Sequence, residues 1–184
     1  MQNKSSPARL LLIGYRGTGK TTVARLLAQR LDAQWVDTDV EVAKTAGRSI
    51  ATLFDEAGEQ AFRDQEAEVL RGLLSAPYRI FACGGGVVLR EENRKLLAEA
   101  GTTILLQARP ETIFTRLATD SNSKTQRPDL TSGGGLQEII EVLAARQQLY
   151  QQCADIVVDT EKKTTERVAD EILAACSSKQ RTDP

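Results

Sequence analysis

Short apolar runs alternate with longer amphipathic stretches along almost the whole chain. RLLLI (Arg9–Ile13), AQWVD (Ala33–Asp37), RIFAC (Arg79–Cys83), TTILLQA (Thr102–Ala108) and DIVVD (Asp155–Asp159) read as five strands. Between them the spacing predicts helices over Lys20–Leu31, Val40–Ala46, Ile50–Ala57, Glu59–Leu74, Glu91–Ala100, Pro110–Ala118, Leu136–Gln151 and Thr164–Ala175. Phe62, Val69 and Leu73 share one helical face and are expected to point into the core. Gly101 is placed to cap the C-terminal end of the helix before it. Pro110 falls in a first helical turn, where its missing N–H costs nothing. One stretch breaks the alternation. TDSNSKTQRPDLTSGGG, residues 119–135, is polar and glycine-rich and is expected to be an exposed, mobile loop.

Strands that are apolar throughout, separated by helices, are the pattern of βαβ units. They predict a parallel sheet with helices on both faces. The 184 residues suit one domain, with a core over about 9–176 and polar ends. A chain of this length buries a core without disulfides or a structural metal. The apolar run Leu10–Ile13 is too short for a signal peptide or a membrane span. Net charge is −1, which argues against nucleic acid or an anionic membrane as the main partner. Three cysteines without a C-x-x-C pair suit reduced thiols in a cytoplasmic protein. The chain has no histidine, so triads, histidine bases and histidine metal sites are excluded. Proton transfer must use a carboxylate, amine, phenol or thiol.

GYRGTGKT, Gly14–Thr21, follows the first strand and opens the first helix. Glycines there let main-chain N–H groups turn inward around an anion, and the helix N-terminus adds partial positive charge. Lys20 is placed to reach the outer phosphates of a nucleoside triphosphate, and the Thr21 hydroxyl to ligate Mg²⁺. The second strand ends in WVDTD, with Asp37 and Asp39 on the same face of an extended chain. They suit two jobs, orienting Mg²⁺ through water and taking a proton from an attacking hydroxyl. Thr38 or Asp39 could equally cap the next helix. Arg63 has Glu66 three residues on, the spacing of a surface ion pair. Gly84–Gly86 follow the third strand, where glycines allow close backbone approach. Arg127 in the polar loop suits a lid closing on phosphates. Arg146 lies on the helix after it, and helical arginines mostly face solvent. Two such arginines could clamp a carboxylate.

In unbroken order from Arg9 to Val168 these motifs resemble the shikimate kinase family: GYRGTGKT, WVDTD, GEQAFR, Gly84–Gly86, Arg127–Pro128 and Arg146–Tyr150 in RQQLY. Trp35 stands where the family usually has Phe, and Asp129 follows the lid proline. The resemblance implies a three-layer α/β/α P-loop fold with a five-stranded parallel sheet of order 2-3-1-4-5 and a lid. It implies transfer of the ATP γ-phosphate to the 3-hydroxyl of shikimate by a cytoplasmic monomer. Lys20, Asp39 and Arg127 would be catalytic. Asp39, Arg63, Gly85 and Arg146 would bind shikimate, the two arginines holding its carboxylate. Gly17, Thr18, Gly19, Lys20, Thr21 and Thr22 would cradle the phosphates, with Arg127 closing over them. Arg116 and Lys163 would flank the adenine. Thr21 and Asp37 would hold Mg²⁺. A related kinase such as a gluconate kinase would share the phosphate loop without needing the arginine clamp. A regulatory protein that had lost catalysis would have changed Lys20, Asp39 or Arg127. A GTPase would carry D-x-x-G and N-K-x-D, and neither occurs where it should.

Overall fold

A computed structural model of the chain describes residues 9–119 and 135–179. Five strands form one parallel sheet: β1 (Arg9–Ile13), β2 (Trp35–Asp37), β3 (Ile80–Ala82), β4 (Gly101–Gln107) and β5 (Ile156–Asp159). Their order is β2-β3-β1-β4-β5, as the motif resemblance implies. β1 is central, with Leu11 in register with Phe81 on one side and Thr103 on the other.

Alternation along β1 builds the two cores. Leu10 and Leu12 face a cluster made with α1 (Lys20–Arg30) and α7 (Thr165–Lys179), through Val23, Leu27, Val168 and Ile172. Leu11 and Ile13 face the opposite cluster. It is completed by Leu70 of α3 (Ile50–Leu74), Leu97 of α4 (Glu91–Ala100) and Tyr150 of α6 (Gly135–Cys153). A strand buried on both faces must be apolar at every position, which is why RLLLI shows no polar alternation. The remaining helices are α2 (Thr38–Ala46) and α5 (Pro110–Thr119). α3 is interrupted at Gly58, whose φ of 80° and ψ of 169° are not helical. The break falls between the two helices expected there. Of the expected core residues, Phe62 is buried, while Val69 and Leu73 are half-buried at the edges of two clusters.

Three local expectations are refined. Gly101 does cap the end of α4, but with an extended backbone that also opens β4. A Cβ there would overlap the Arg9 carbonyl, so glycine serves the close approach of β4 to β1. The cap of α2 is neither Thr38 nor Asp39. Asp37 caps it, its Oδ1 accepting from the N–H groups of Asp39 at 3.0 Å and Val40 at 3.4 Å. The helices bounding the polar loop reach further than expected: Thr119 ends α5 and Gly135 opens α6. The rest of the expected lid, with Arg127, lies outside the described residues. Among the described residues no helix is long and apolar enough to cross a membrane.

Parallel strands bring all five C-terminal ends to one edge of the sheet, where an open α/β fold places its ligand crevice. The core that fixes this edge has a measurable signature. Leu27→Ala, at a fully buried α1 position, should cost about 2–5 kcal/mol. The check is the shift of the urea midpoint at constant slope.

Candidate active site

The loop between β1 and α1 wraps around its own interior. Gly17 and Gly19 take φ of 79° and 94°, a region L-residues avoid. Thr18 Oγ1 donates to the Tyr15 carbonyl at 2.8 Å. Lys20 Nζ donates to the Gly14 and Tyr15 carbonyls, both at 2.8 Å. The loop is thereby held in shape by its own side chains, and Gly17 and Gly19 line the crevice. Thr21 Oγ1 donates to Asp37 Oδ2 at 2.7 Å. This bond ties the start of α1 to the end of β2, so Asp37 serves the helix cap with one oxygen and Thr21 with the other. A cleft of about 750 Å³ is lined by Gly17, Gly19, Lys20, Thr21, Thr22 and Asp37, and extends to Arg116 and Asp39.

Asp39, Arg63, Gly85 and Arg146 line a second, smaller cavity of about 50 Å³ beside the first. Arg16, Asp39 and Ile50 border both cavities. Ile50, Phe54 and Phe62 give the second cavity an apolar wall. The Arg63 guanidinium lies 4.9 Å from the centroid of the Phe62 ring and donates to Glu66 Oε2 at 2.9 Å. This is no surface pair, since both side chains are buried. Burial pushes the Glu66 carboxyl up from its ordinary range, and the Arg63 charge opposes the shift. Arg146 is also buried, against the expectation for a helical arginine. Its Nη1 reaches the Gly85 carbonyl at 3.4 Å, and no carboxylate pairs with it among the described residues. Tyr150 also donates to the Gly85 carbonyl. Burial pushes its phenol up to about 12, so it remains a donor near neutral pH.

The three glycines after β3 do different work. The N–H of Gly84 donates to Thr38 Oγ1 at 2.8 Å. A Cβ on Gly84 would come within 2.5 Å of Asp39 Oδ1 and 2.9 Å of Glu66 Oε1. A Cβ on Gly86 would overlap the Arg63 guanidinium. Only Gly85 lies at ordinary contact distances, and it contributes its carbonyl.

Two expected nucleotide contacts fall further out. Arg116 donates to the carbonyl of Gly17 at 3.3 Å and to Thr160, at Oγ1 (3.0 Å) and carbonyl (2.9 Å). It thus joins the phosphate loop to the loop after β5. Lys163, in that loop, pairs with Glu171 of α7 at 2.7 Å. Sequence reasoning missed the buried state of Glu66, the clearances at Gly84 and Gly86, and the apolar wall. It also missed Arg16, whose Nη2 lies 2.9 Å from Glu138 Oε1 on α6. The only local signal was the three-residue spacing of Arg63 and Glu66.

Comparison with known proteins bears on the whole of this arrangement. A shikimate kinase family model matches residues 16–177. The chain is 40% identical over 172 residues to a shikimate kinase of Rhodopirellula baltica, covering 94% of this chain and 92% of that one. It is 42% identical over 157 residues to a shikimate kinase of Neisseria gonorrhoeae, covering 85% and 90%. Among solved structures, a shikimate kinase from Acinetobacter baumannii in complex with shikimate superposes with a TM-score of 0.87 at 30% identity, covering 94% of each chain. The enzyme from Aquifex aeolicus does so with a TM-score of 0.78 at 32% identity, covering 95% of this chain and 99% of that one. Taken with the phosphate loop and the arginine-lined cavity beside it, these matches establish that the chain belongs to the shikimate kinase family.

Proposed function

We propose that the larger cleft takes ATP, that the smaller cavity takes shikimate, and that the γ-phosphate passes between them to the shikimate 3-hydroxyl. The observation that carries this reading is Arg146. A buried guanidinium is costly unless it meets a counter-charge, and among the described residues this one meets the Gly85 carbonyl and the Tyr150 hydroxyl but pairs with no carboxylate. A monocarboxylate bound between Arg146 and Arg63 supplies the missing charge. Planar guanidinium groups hold a carboxylate through paired N–H donors. The apolar wall of Ile50, Phe54 and Phe62 suits the carbon ring of such an acid.

Asp39 borders both cavities, so its carboxylate is the group proposed to accept the hydroxyl proton as the phosphorus is attacked. Gly17 to Thr22 offer main-chain N–H groups to the phosphates, and Lys20 adds a charge that turns outward from the loop carbonyls to meet them. Arg127, outside the described residues, is carried in this proposal as the cation that closes over the phosphates. Arg116 and Lys163 are its proposed adenine neighbours. Thr21 and Asp37 would hold Mg²⁺, and a hydroxyl 2.7 Å from a carboxylate fits a hard cation that takes oxygen ligands and keeps its waters. When bound, the ion neutralises charge on the phosphate oxygens. Catalysis then rests on positioning and charge stabilisation. The near-even charge of the chain suits a small-molecule enzyme, which is proposed to act as a cytoplasmic monomer.

The reading is tested by ADP release with shikimate, quinate and gluconate side by side, where turnover should require shikimate and Mg²⁺. Asp39→Asn should lower kcat by at least ~100-fold; near-normal turnover would remove it as the base. Arg146→Ala should weaken shikimate binding about 10–100-fold, the equivalent of losing about 1.5–3 kcal/mol of charged hydrogen bonding. Calorimetric titration checks it, and ATP affinity should not change. Gly86→Ala must displace a guanidinium pinned by Glu66 and Phe62. It should raise the shikimate KM about tenfold or more, about 1.4 kcal/mol, and leave the ATP KM alone.

A further inference from the structure

Charge is distributed unevenly around the acid cavity. Arg63 has Glu66 at 2.9 Å, while Arg146 reaches the Gly85 carbonyl and Tyr150 and pairs with no carboxylate among the described residues. The third guanidinium belongs to Arg16, in the phosphate loop itself. It borders both the cleft and the cavity, so it stands at the boundary the phosphoryl group has to cross. Its Nη2 donates to Glu138 Oε1 at 2.9 Å, and its guanidinium lies 5.9 Å from the Tyr15 ring. Glu138 sits in the first turn of α6 with its side chain wholly buried. A buried carboxylate is retained only with a partner, and Arg16 is one.

The two ligands of this cavity differ greatly in charge. The substrate carries one carboxylate. The product keeps that carboxylate and gains a phosphate monoester, close to a dianion near neutral pH. An uncompensated Arg16 at the boundary would favour the product far more than the substrate. We propose that Glu138 is a specificity-determining residue: by neutralising Arg16 it tunes the cavity to a monoanion and lets the phosphorylated product leave. Asp39, on the same cavity, contributes the charge assigned to the hydroxyl proton. The inference rests on the functional reading above and adds the discrimination between substrate and product.

The test is calorimetric titration of the whole chain with shikimate and with shikimate 3-phosphate, paired with product inhibition of turnover. In E138Q the product should bind at least about tenfold more tightly, the equivalent of about 1.4 kcal/mol, and shikimate should gain much less. Product affinity should also fall more steeply with salt than in the unaltered chain. The double variant R16M/E138L removes both buried charges, a replacement that cores tolerate, and should return the product-to-substrate ratio to its original value. Where E138Q fails to fold, E138D lengthens the pair and should shift the ratio in the same direction. A merely structural role for Glu138 would weaken both ligands together. Product affinity that stays level or falls in folded E138Q overturns the proposal, as does a double variant that behaves like E138Q. Missing shikimate-dependent turnover in the unaltered chain would instead defeat the functional reading, so the two failures are distinguishable.

Discussion

A buried guanidinium that pairs with no carboxylate among the described residues is the constraint around which the arginine-lined cavity is arranged. Arg146 comes from α6, which packs over the β4 side of the sheet, and its charge is sheltered from water. Among the described residues the Gly85 carbonyl and the Tyr150 hydroxyl meet it, and Glu66 acts on it electrostatically without pairing with it. In the proposed function the bound acid supplies the direct counter-charge. Arg63 is different. Its charge is already met by Glu66, so it offers hydrogen bonds and geometry more than net charge. One guanidinium paired with a carboxylate, and one with no such pair among the described residues, suit the single carboxylate of the proposed substrate.

Close packing keeps this arrangement rigid. Asp39, Glu66 and Arg63 all crowd the backbone that leaves β3, and only residues without a Cβ clear them at Gly84 and Gly86. Thr38 fixes the same turn from β2 by accepting the Gly84 N–H. Tyr150 fixes it from α6 through the Gly85 carbonyl. Strand ends β2 and β3 and helices α3 and α6 therefore converge on a three-residue turn. The phosphate loop joins them through Thr21 and Asp37 on one side and through Arg16 and Glu138 on the other.

Much of the fold was legible because it is encoded locally. Apolar runs long enough for a buried strand, helical spacing between them, and a glycine-rich loop before a helix all act within a few residues. Burial of a polar side chain is not encoded that way. Arg63 and Glu66 have the spacing of a helical pair whether that face meets water or a core, and only packing against Phe54 and Phe62 decides it. Arg146 likewise reads as a solvent-facing helical arginine until α6 is laid on the sheet. Arg16 and Glu138 meet across the polar stretch and most of the chain, with no periodic signal to link them. Asp37 capping α2 in place of its neighbours was a question of which of three adjacent polar residues bends first, which spacing does not settle. Motif resemblance reached further than periodicity here, since Asp39, Arg63, Gly85 and Arg146, which it grouped, line one cavity.

The account stands most directly on the need for a negative charge at Arg146. Titration of the unaltered chain with shikimate and with its primary amide, equal in shape and neutral, isolates that charge. The amide should bind at least about tenfold more weakly, because a charged hydrogen-bonding partner is worth about 1.5–3 kcal/mol. Equal affinity for the acid and the amide would contradict it.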